Sequence, residues 1–379
     1  MKTLVETLGL IPKSTLKKDS KDTMSIFKVP HFGLTRQYGN LKEELLDATD
    51  LALREGILVS GRYTDLFERW LAVRTGCQYA VVMHSGTQAL EAMADYLAEM
   101  HYLGGGGIIP TVNIPNLTYP ATMNAFLTSG WDVNLVDVDQ NGLMKTTEIE
   151  FEFDTYNCAV GLYGAPVEPT TQTIIDGAQH WLIADNWIGM GMAISFDPTK
   201  NLNSSGNGGA IVTNDPSMYE YVISHRSNGK PDHYRSGTNS KMSELECAHM
   251  LVRIKYIDAW QARRAAIRYY YLDHFSELPI RCLSRDFIHH ADQKFAIYTE
   301  HRDELLTYLL DKGIEAKIHY PYTLSELPLA KEITNKPNMI STGTMLSRGV
   351  LSLPIYPELY DSEVEYIVSC VKKFYETHQ

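Results

Sequence analysis

Cysteine is scarce and unpatterned in this 379-residue chain: Cys77, Cys158, Cys247, Cys282 and Cys370 lie far apart and form no CxxC. That distribution excludes a disulfide scaffold and gives no zinc-binding spacing, so buried free thiols and no metal site are expected. Long hydrophobic runs are missing as well, none approaching the ~18 residues of a membrane-spanning helix. Met1-Lys2-Thr3-Leu4-Val5 is interrupted by Glu6 and Pro12, too early for a secretory signal. No membrane association and a cytoplasmic location are therefore expected. Positive charge is in deficit, 34 basic against 46 acidic residues for a net charge of −12, which argues against an electrostatic hold on nucleic acid or anionic lipid.

What is present is the composition of an ordinary globular protein, with 44% apolar and 21% charged residues. At roughly 150 residues per domain the length predicts about two domains. The first forty residues, with Lys13, Lys17, Lys18 and Lys21 and then Val29-Pro30-His31-Phe32-Gly33, read as an arm or linker. From Leu41 the spacing of Leu41, Leu45, Ala48 and Ala52 predicts an amphipathic helix closed by Gly56. A second helix is expected over Thr64–Thr75, burying Leu66, Phe67, Trp70 and Leu71, with Gly76 at its end.

A different rhythm follows. Tyr79–Met83 reads as a short strand, His84-Ser85-Gly86-Thr87 as a turn and Gln88–Met100 as a helix, half of a βαβ unit. Short apolar runs at Gly107–Pro110, Val133–Asp137, Cys158–Leu162, Thr173–Asp176, Met192–Phe196 and Gly209–Thr213 predict further buried parallel strands, in a sheet covered on both faces. One long helix is expected over Leu245–Tyr271, with Arg253, Lys255, Arg263, Arg264 and Arg268 on its polar side. Beyond it come strands at Lys294–Tyr298 and Ala316–Tyr320, a helix over Arg302–Leu310 and a last helix over Ser362–Phe374, capped by Asp361 or Ser362. The fold class expected is α/β: a large domain with a mostly parallel sheet between helices over 41–255, after an arm over 1–40, and a smaller α+β domain over 256–379.

Three residue groups carry chemistry. Lys200 follows the strand ending at Phe196, in a loop bounded by Pro198 and Gly206; partial burial there would lower its amine pKa and suit it to form a Schiff base. The alternative is an ordinary loop lysine. Asp176 ends an apolar strand, where a carboxylate needs a cation or a helix N-terminus; a pyridinium nitrogen is one such cation, and an N-cap role is the alternative. Ser85-Gly86-Thr87 offers small residues, hydroxyls and a helix start, which suit a phosphate, although Ser and Thr also cap helices for structural reasons. Each group follows a different predicted strand, so all three would face one crevice.

His84-Ser85-Gly86-Thr87-Gln88-Ala89-Leu90, Leu117-Thr118-Tyr119-Pro120-Ala121-Thr122, Asp176-Gly177-Ala178-Gln179, Ser195-Phe196-Asp197-Pro198-Thr199-Lys200-Asn201, Gly208–Asn214 and Gly237–Glu244 resemble, in order, the motifs of the DegT/DnrJ/EryC1/StrS sugar aminotransferases. These are fold type I enzymes dependent on pyridoxal 5'-phosphate. The resemblance runs from about Tyr38 to the end of the chain and takes in Leu351–Pro357. It implies that Lys200 forms the internal aldimine and moves protons between substrate and cofactor, that Asp176 keeps the pyridine nitrogen protonated, and that Gln179 lies near the phenolic oxygen. Ser85, Gly86, Thr87 and Ser195 would bind the phosphate, joined by Asn239 from a neighbouring subunit, and Tyr119 would stack on the ring. Shared sites of this kind imply a homodimer.

For substrate contacts the weaker candidates are His180, His225 and His319, Lys241 in the basic stretch with Arg226, Lys230 and Arg235, and Tyr320 in Tyr320-Pro321-Tyr322. Packed or solvated roles are the alternatives for each. Two segments depart from the family pattern. Ala165–Ile174, with Val167, Pro169, Thr170 and Thr171, is poor helix material where the family has a crossover helix. The stretch from Asp176 to Ser195 is short and carries Trp181, Trp187 and Met190. The expected activity is amino transfer from an amino acid, glutamate foremost, to a keto-sugar nucleotide by way of pyridoxamine 5'-phosphate. The alternatives are another acceptor, such as a modified nucleoside or a phosphorylated carbonyl compound, and a non-catalytic cofactor-binding sensor or scaffold.

Overall fold

The computed structural model describes residues 27–105, 109–146, 154–168, 170, 172–183, 189–333 and 341–377. Lys13, Lys17, Lys18, Lys21, Gly107, Ile108, Pro169, Thr171 and Trp187, all singled out above, lie outside them.

Helix α1 (Leu34–Glu55) starts earlier than the leucine spacing indicates, because Gln37 occupies its buried face one turn before Leu41, and a polar residue leaves no mark in a hydrophobic pattern. It ends at Gly56, whose positive φ closes the last turn. Helix α2 (Arg62–Thr75) ends in the same way at Gly76. It buries Phe67 and Leu71, but Leu66, expected in the core, is 48% exposed.

Strand β1 (Tyr79–Met83) leads through Ser85 into helix α3 (Gly86–Leu103), and the Ser85 hydroxyl caps that helix by accepting the Gln88 N–H at 3.2 Å. Then come β2 (Thr111–Pro115), α4 (Pro120–Thr128), β3 (Asp132–Val136), β4 (Thr155–Val160), β5 (Thr173–Asp176), β6 (Gly191–Ser195), β7 (Gly209–Thr213) and α5 (Pro216–His225). The strands form a seven-stranded sheet in the order β1-β7-β6-β5-β4-β2-β3. Neighbours from β6 through to β3 pair in parallel, whereas β7 is antiparallel to both β6 and β1. Gly209–Thr213, expected to be parallel, is therefore reversed. The connection from Phe196 to Gly208 holds no crossover helix, which a parallel return requires.

Of the strand expected over Gly107–Pro110, Gly107 and Ile108 lie outside the described residues and Ile109 is exposed, and the strand found next in the chain is Thr111–Pro115. Asn113 hides that strand from a hydrophobicity search. It is buried, paired in register with Asn134 and Asn157, and hydrogen-bonded to them at 3.2 and 3.0 Å in a ladder of side-chain amides. Both faces of the sheet are covered. Val81, Met83, Ala193 and Ile211 meet residues of α3, α4 and α5 on one face. Alternating with them, Ala80, Val82, Met192, Ile194 and Val212 meet α2 and later helices on the other, which is why these strands read as unbroken apolar runs. Among the described residues between Leu162 and Thr173 a single 3₁₀ turn stands in place of a crossover helix.

The long helix expected over Leu245–Tyr271 is two: α6 (Glu244–Arg253) and α7 (Ile257–His274), separated by tight turns in which Lys255 and Tyr256 donate to the Val252 and Arg253 carbonyls. The break lets α6 pack on the large sheet while Ile267 and Tyr271 of α7 enter a second core. Arg253, Arg264 and Arg268, expected on a polar side, are buried. Arg264 donates to the Ile355 carbonyl at 2.6 Å, and Arg268 pairs with Asp292 at 2.8 Å.

That second core is built on a three-stranded antiparallel sheet, β10-β9-β8, from β8 (Arg281–Cys282), β9 (Phe295–Tyr298) and β10 (Val350–Leu353). Helices α8 (Arg302–Asp311), α9 (Thr342–Gly349) and α10 (Asp361–Thr377) complete it. Ala316–Tyr320, expected as a strand, touches this sheet through one bridge, Lys317 to Ser352. Helix α10 begins at Asp361, so neither Asp361 nor Ser362 is its cap; the Tyr360 N–H is instead taken by the Glu363 carboxylate at 2.9 Å. Residues 27–33 belong to the same body. Val29 bridges Ile314, and the His31 N–H donates to Glu315 at 2.9 Å, so this part of the expected linker is packed structure.

Candidate active site

Strands β1, β5 and β6 point the same way, so their carboxyl ends share one edge of the sheet, the edge at which open α/β sheets bind ligands. There Ser85-Gly86-Thr87, Asp176, Ser195 and the Lys200 loop line a cavity of about 460 Å³, together with Phe32, Thr118, Tyr119, Gln179, Lys294, Lys317, His319 and Tyr320.

At one end of the cavity α3 begins. The N–H groups of its first turn have no carbonyl partner within the helix, and its dipole favours an anion there. Close packing demands glycine around this turn. A Cβ on Gly86 would stand 2.8 Å from Ser195 Cβ, and one on Gly209 would stand 2.2 Å from the Ser85 carbonyl carbon. At the end of β5, Asp176 is buried, accepting the Thr122 hydroxyl at 2.8 Å and the Ala178 N–H at 3.1 Å. No ion pair to it is made among the described residues. Burial is the leading influence on this carboxyl and pushes its pKa up.

Lys200 sits in the β6–β7 connection, in a turn where its N–H donates to the Asp197 carbonyl at 2.9 Å. The loop is clamped from the other sheet's side: Gln293 accepts the Asn201 N–H at 3.0 Å and donates to the Thr199 carbonyl at 2.8 Å. Burial lowers the pKa of the Lys200 amine, while the charges of Asp176 and Asp197 partly restore it. Lys200 is half-buried, and a lowered amine pKa favours the neutral form, which is the one that attacks a carbonyl.

Gln179 is fixed by the Tyr163 N–H, which it accepts at 2.8 Å. Tyr119 is 58% exposed at the mouth, its ring centroid 5.8 Å from that of Tyr320, so it is a cavity wall and not a core aromatic. Several sequence candidates stand elsewhere. His180 is buried against Gly161, lines no part of the cavity and is lowered by burial to about 4, so it is corrected from a substrate contact to a packed histidine. His225 pairs with Asp95 at 3.0 Å. Arg226 pairs with Glu68 and Arg235 with Glu99. Lys241 is absent from the lining of its own chain's cavity, and so is the exposed Asn239. Conversely, Phe32, Lys294, Lys317 and the clamp Gln293 carried no signal as site residues. Phe32 lay in the expected linker and the two lysines in expected strands.

A covered, mostly parallel sheet with a lysine loop, a buried aspartate and a helix N-terminus at one edge is the architecture of a fold type I aminotransferase. The DegT/DnrJ/EryC1/StrS aminotransferase family model matches residues 40–168 and 187–372, and the chain belongs to this family. It is similar to the erythromycin biosynthesis sensory transduction protein EryC1 of Saccharopolyspora erythraea, with 28% identity over 91% of this chain and 99% of that protein. It is also similar to the dTDP-3-amino-3,4,6-trideoxy-alpha-D-glucose transaminase of Streptomyces venezuelae, with 29% identity over 92% of this chain and 97% of that one. Among solved structures, S. venezuelae DesV in complex with a ketimine intermediate superposes with a TM-score of 0.84, at 28% identity, over 92% of this chain and 98% of that chain.

Proposed function

We propose that the cavity holds pyridoxal 5'-phosphate and that the chain passes an amino group from an amino acid, glutamate foremost, to a keto-sugar nucleotide. The observation that carries this reading is the convergence of Lys200, Asp176 and the start of α3 on one cavity. The donor set fits the cofactor. A glycine-lined helix N-terminus suits its phosphate, and a buried carboxylate with no cationic partner among the described residues suits its protonated ring nitrogen. When bound, the cofactor supplies the carbonyl that takes up the amino group and the ring that accepts electrons.

The rest is done by the protein. Ser85, Gly86, Thr87 and Ser195 hold the phosphate, Asp176 keeps the ring nitrogen charged, Gln179 orients the phenolic oxygen and Tyr119 covers the ring. The Lys200 amine anchors the cofactor and carries a proton to and from the substrate carbon as general acid and base. A homodimer, in which Asn239 of each subunit reaches the other's phosphate, belongs to this reading. Ile57, Leu58 and Val59, consecutive and exposed after α1, supply apolar surface for it. A cytoplasmic setting fits the five buried free thiols.

Visible absorbance with added pyridoxal 5'-phosphate tests the reading. A band lost on adding glutamate, restored by a keto-sugar nucleotide and missing from Lys200→Ala is expected. A band that glutamate leaves unchanged would point to another donor or to a sensor; no Lys200-dependent band at all would overturn the cofactor assignment.

A further inference from the structure

Beyond the cofactor residues, the cavity has a wall made by the smaller sheet and the segment before α1, and that wall is cationic. Lys294 enters from the residue just before β9, Lys317 from the segment bridged to β10, and Phe32 from the segment before α1. Both ammonium groups flank one ring: Lys294 Nζ lies 4.5 Å and Lys317 Nζ 4.9 Å from the Phe32 centroid. A cation gains modestly from an aromatic face, far less than an ion pair returns for burying a charge.

Lys294 is the more exacting of the two. It is 6% exposed yet lines the cavity, and among the described residues no hydrogen bond or ion pair to its amine is made. The charged and titratable groups around it are mainly of its own sign: Lys200, Arg264 and Lys317, with His319 and His31 beside them. The two carboxylates lining this cavity are already engaged. Asp197 accepts the Thr199 N–H at 2.9 Å and its hydroxyl at 2.6 Å, and Asp176 is held by Thr122 and Ala178; outside the lining, Glu315 pairs with Lys317 at 3.2 Å and leaves Lys294 unpaired. An unpaired amine buried among cations and open to a cavity is costly unless an anion arrives with the ligand. In the proposed reading the cofactor phosphate already has its own donors, at Gly86, Thr87 and Ser195 on the large sheet.

We propose that Lys294 and Lys317, set about the Phe32 ring, form a second anion seat, which takes a carboxylate or phosphate group carried on the substrate's own carbon skeleton close to the reacting carbon. The proposal rests on the aminotransferase reading and deepens it. Donor and acceptor use Lys200 by turns, so one seat beside that lysine can hold a donor carboxylate first and an anionic group of the acceptor next. It favours acceptors that bear a phosphate or carboxylate on the sugar itself.

The test is calorimetric titration of the pyridoxal 5'-phosphate-loaded protein, whose own phosphate seat is filled, with inorganic phosphate, with glutarate as a dicarboxylate lacking an amino group, and with thymidine as an uncharged control. Lys294→Met is expected to weaken glutarate, phosphate or both by about 10- to 100-fold, the effect of losing one charge-assisted contact, with thymidine unchanged. Weakening of glutarate alone assigns the seat to the donor's carboxylate; weakening of phosphate assigns it to the acceptor's anion as well. Lys317→Met, at a more open position, carries the same test should Lys294→Met fail to fold. Anion affinities equal to wild type in both variants, or no anion binding by the wild type, overturn the proposal. The Lys200-dependent visible band is read in the same samples. Its presence with unaltered anion affinity fails the seat and keeps the cofactor reading. Its absence fails the cofactor reading, while the glutarate titration still reports on the lysines.

Discussion

At the scale of single residues the site works by withholding water from groups that would otherwise be fully charged. Lys200 and Asp176 are shifted in opposite chemical senses by one cause, burial, and each partly offsets the other's shift. Lys200→Ala is expected to cut turnover by at least about 100-fold, the range for removing a general acid–base group, as measured by single-turnover absorbance. The histidines give a pH prediction. Burial lowers His180 to about 4 and, with the neighbouring lysines, His319 to about 2, both below their unfolded value near 6.5. The unfolded chain therefore binds more protons below pH 6.5, and stability is lost as pH falls from about 6.5 towards the folded values. Each such histidine contributes a slope of roughly 1.4 kcal/mol per pH unit in that window. Burial raises Glu68, Asp176 and Glu358, which act in the opposite direction. Urea midpoints at pH 7, 6 and 5 for wild type and His180→Asn isolate the contribution of His180: the variant should show the shallower dependence.

At the scale of elements, one carboxylate joins two helices. Glu244, at the first position of α6, accepts the backbone N–H groups of Gly61, Tyr63 and Thr64 at 2.9, 2.8 and 3.0 Å, and so satisfies the open N-terminus of α2. Glu244→Ala leaves those buried donors unpaired and is expected to cost roughly 3 kcal/mol, read as a lower urea midpoint with the slope unchanged. The start of α3 is as tightly specified. Gly209→Ala would drive a methyl group into the Ser85 backbone, and overpacking of this kind costs about 1–3 kcal/mol. Pyridoxal 5'-phosphate affinity, measured by fluorescence quenching, should fall along with the melting temperature, because the same backbone forms the phosphate seat.

For the molecule as a whole, the exposed apolar residues Ile57, Leu58 and Val59 after α1 mark the surface of the proposed dimer. Leu58→Glu places charge on that surface and is expected to shift the mass measured by light scattering from dimer to monomer. It should also weaken cofactor binding, because Asn239 would no longer reach a neighbouring phosphate. A wild-type protein that is monomeric at micromolar concentration would remove Asn239 from the site.

Chain order alone made much of this protein legible. Strands covered on both faces announce themselves as short apolar runs, and residues that follow such strands, as Ser85-Gly86-Thr87, Asp176 and Lys200 do, gather at one edge because parallel strands share a direction. Local signals also marked the glycine ends of α1 and α2. Where polar residues are buried, the pattern failed: Asn113 masks β2, Gln37 masks the first turns of α1, and Arg264 and Arg268 pass for a solvated face. Only the tertiary structure decided the reversal of β7, the break between α6 and α7, and the cationic wall of Phe32, Lys294 and Lys317. Those three residues come from distant parts of the chain, as do Gln293 and the Lys200 loop it clamps, and no local period records a partner that arrives from the other sheet.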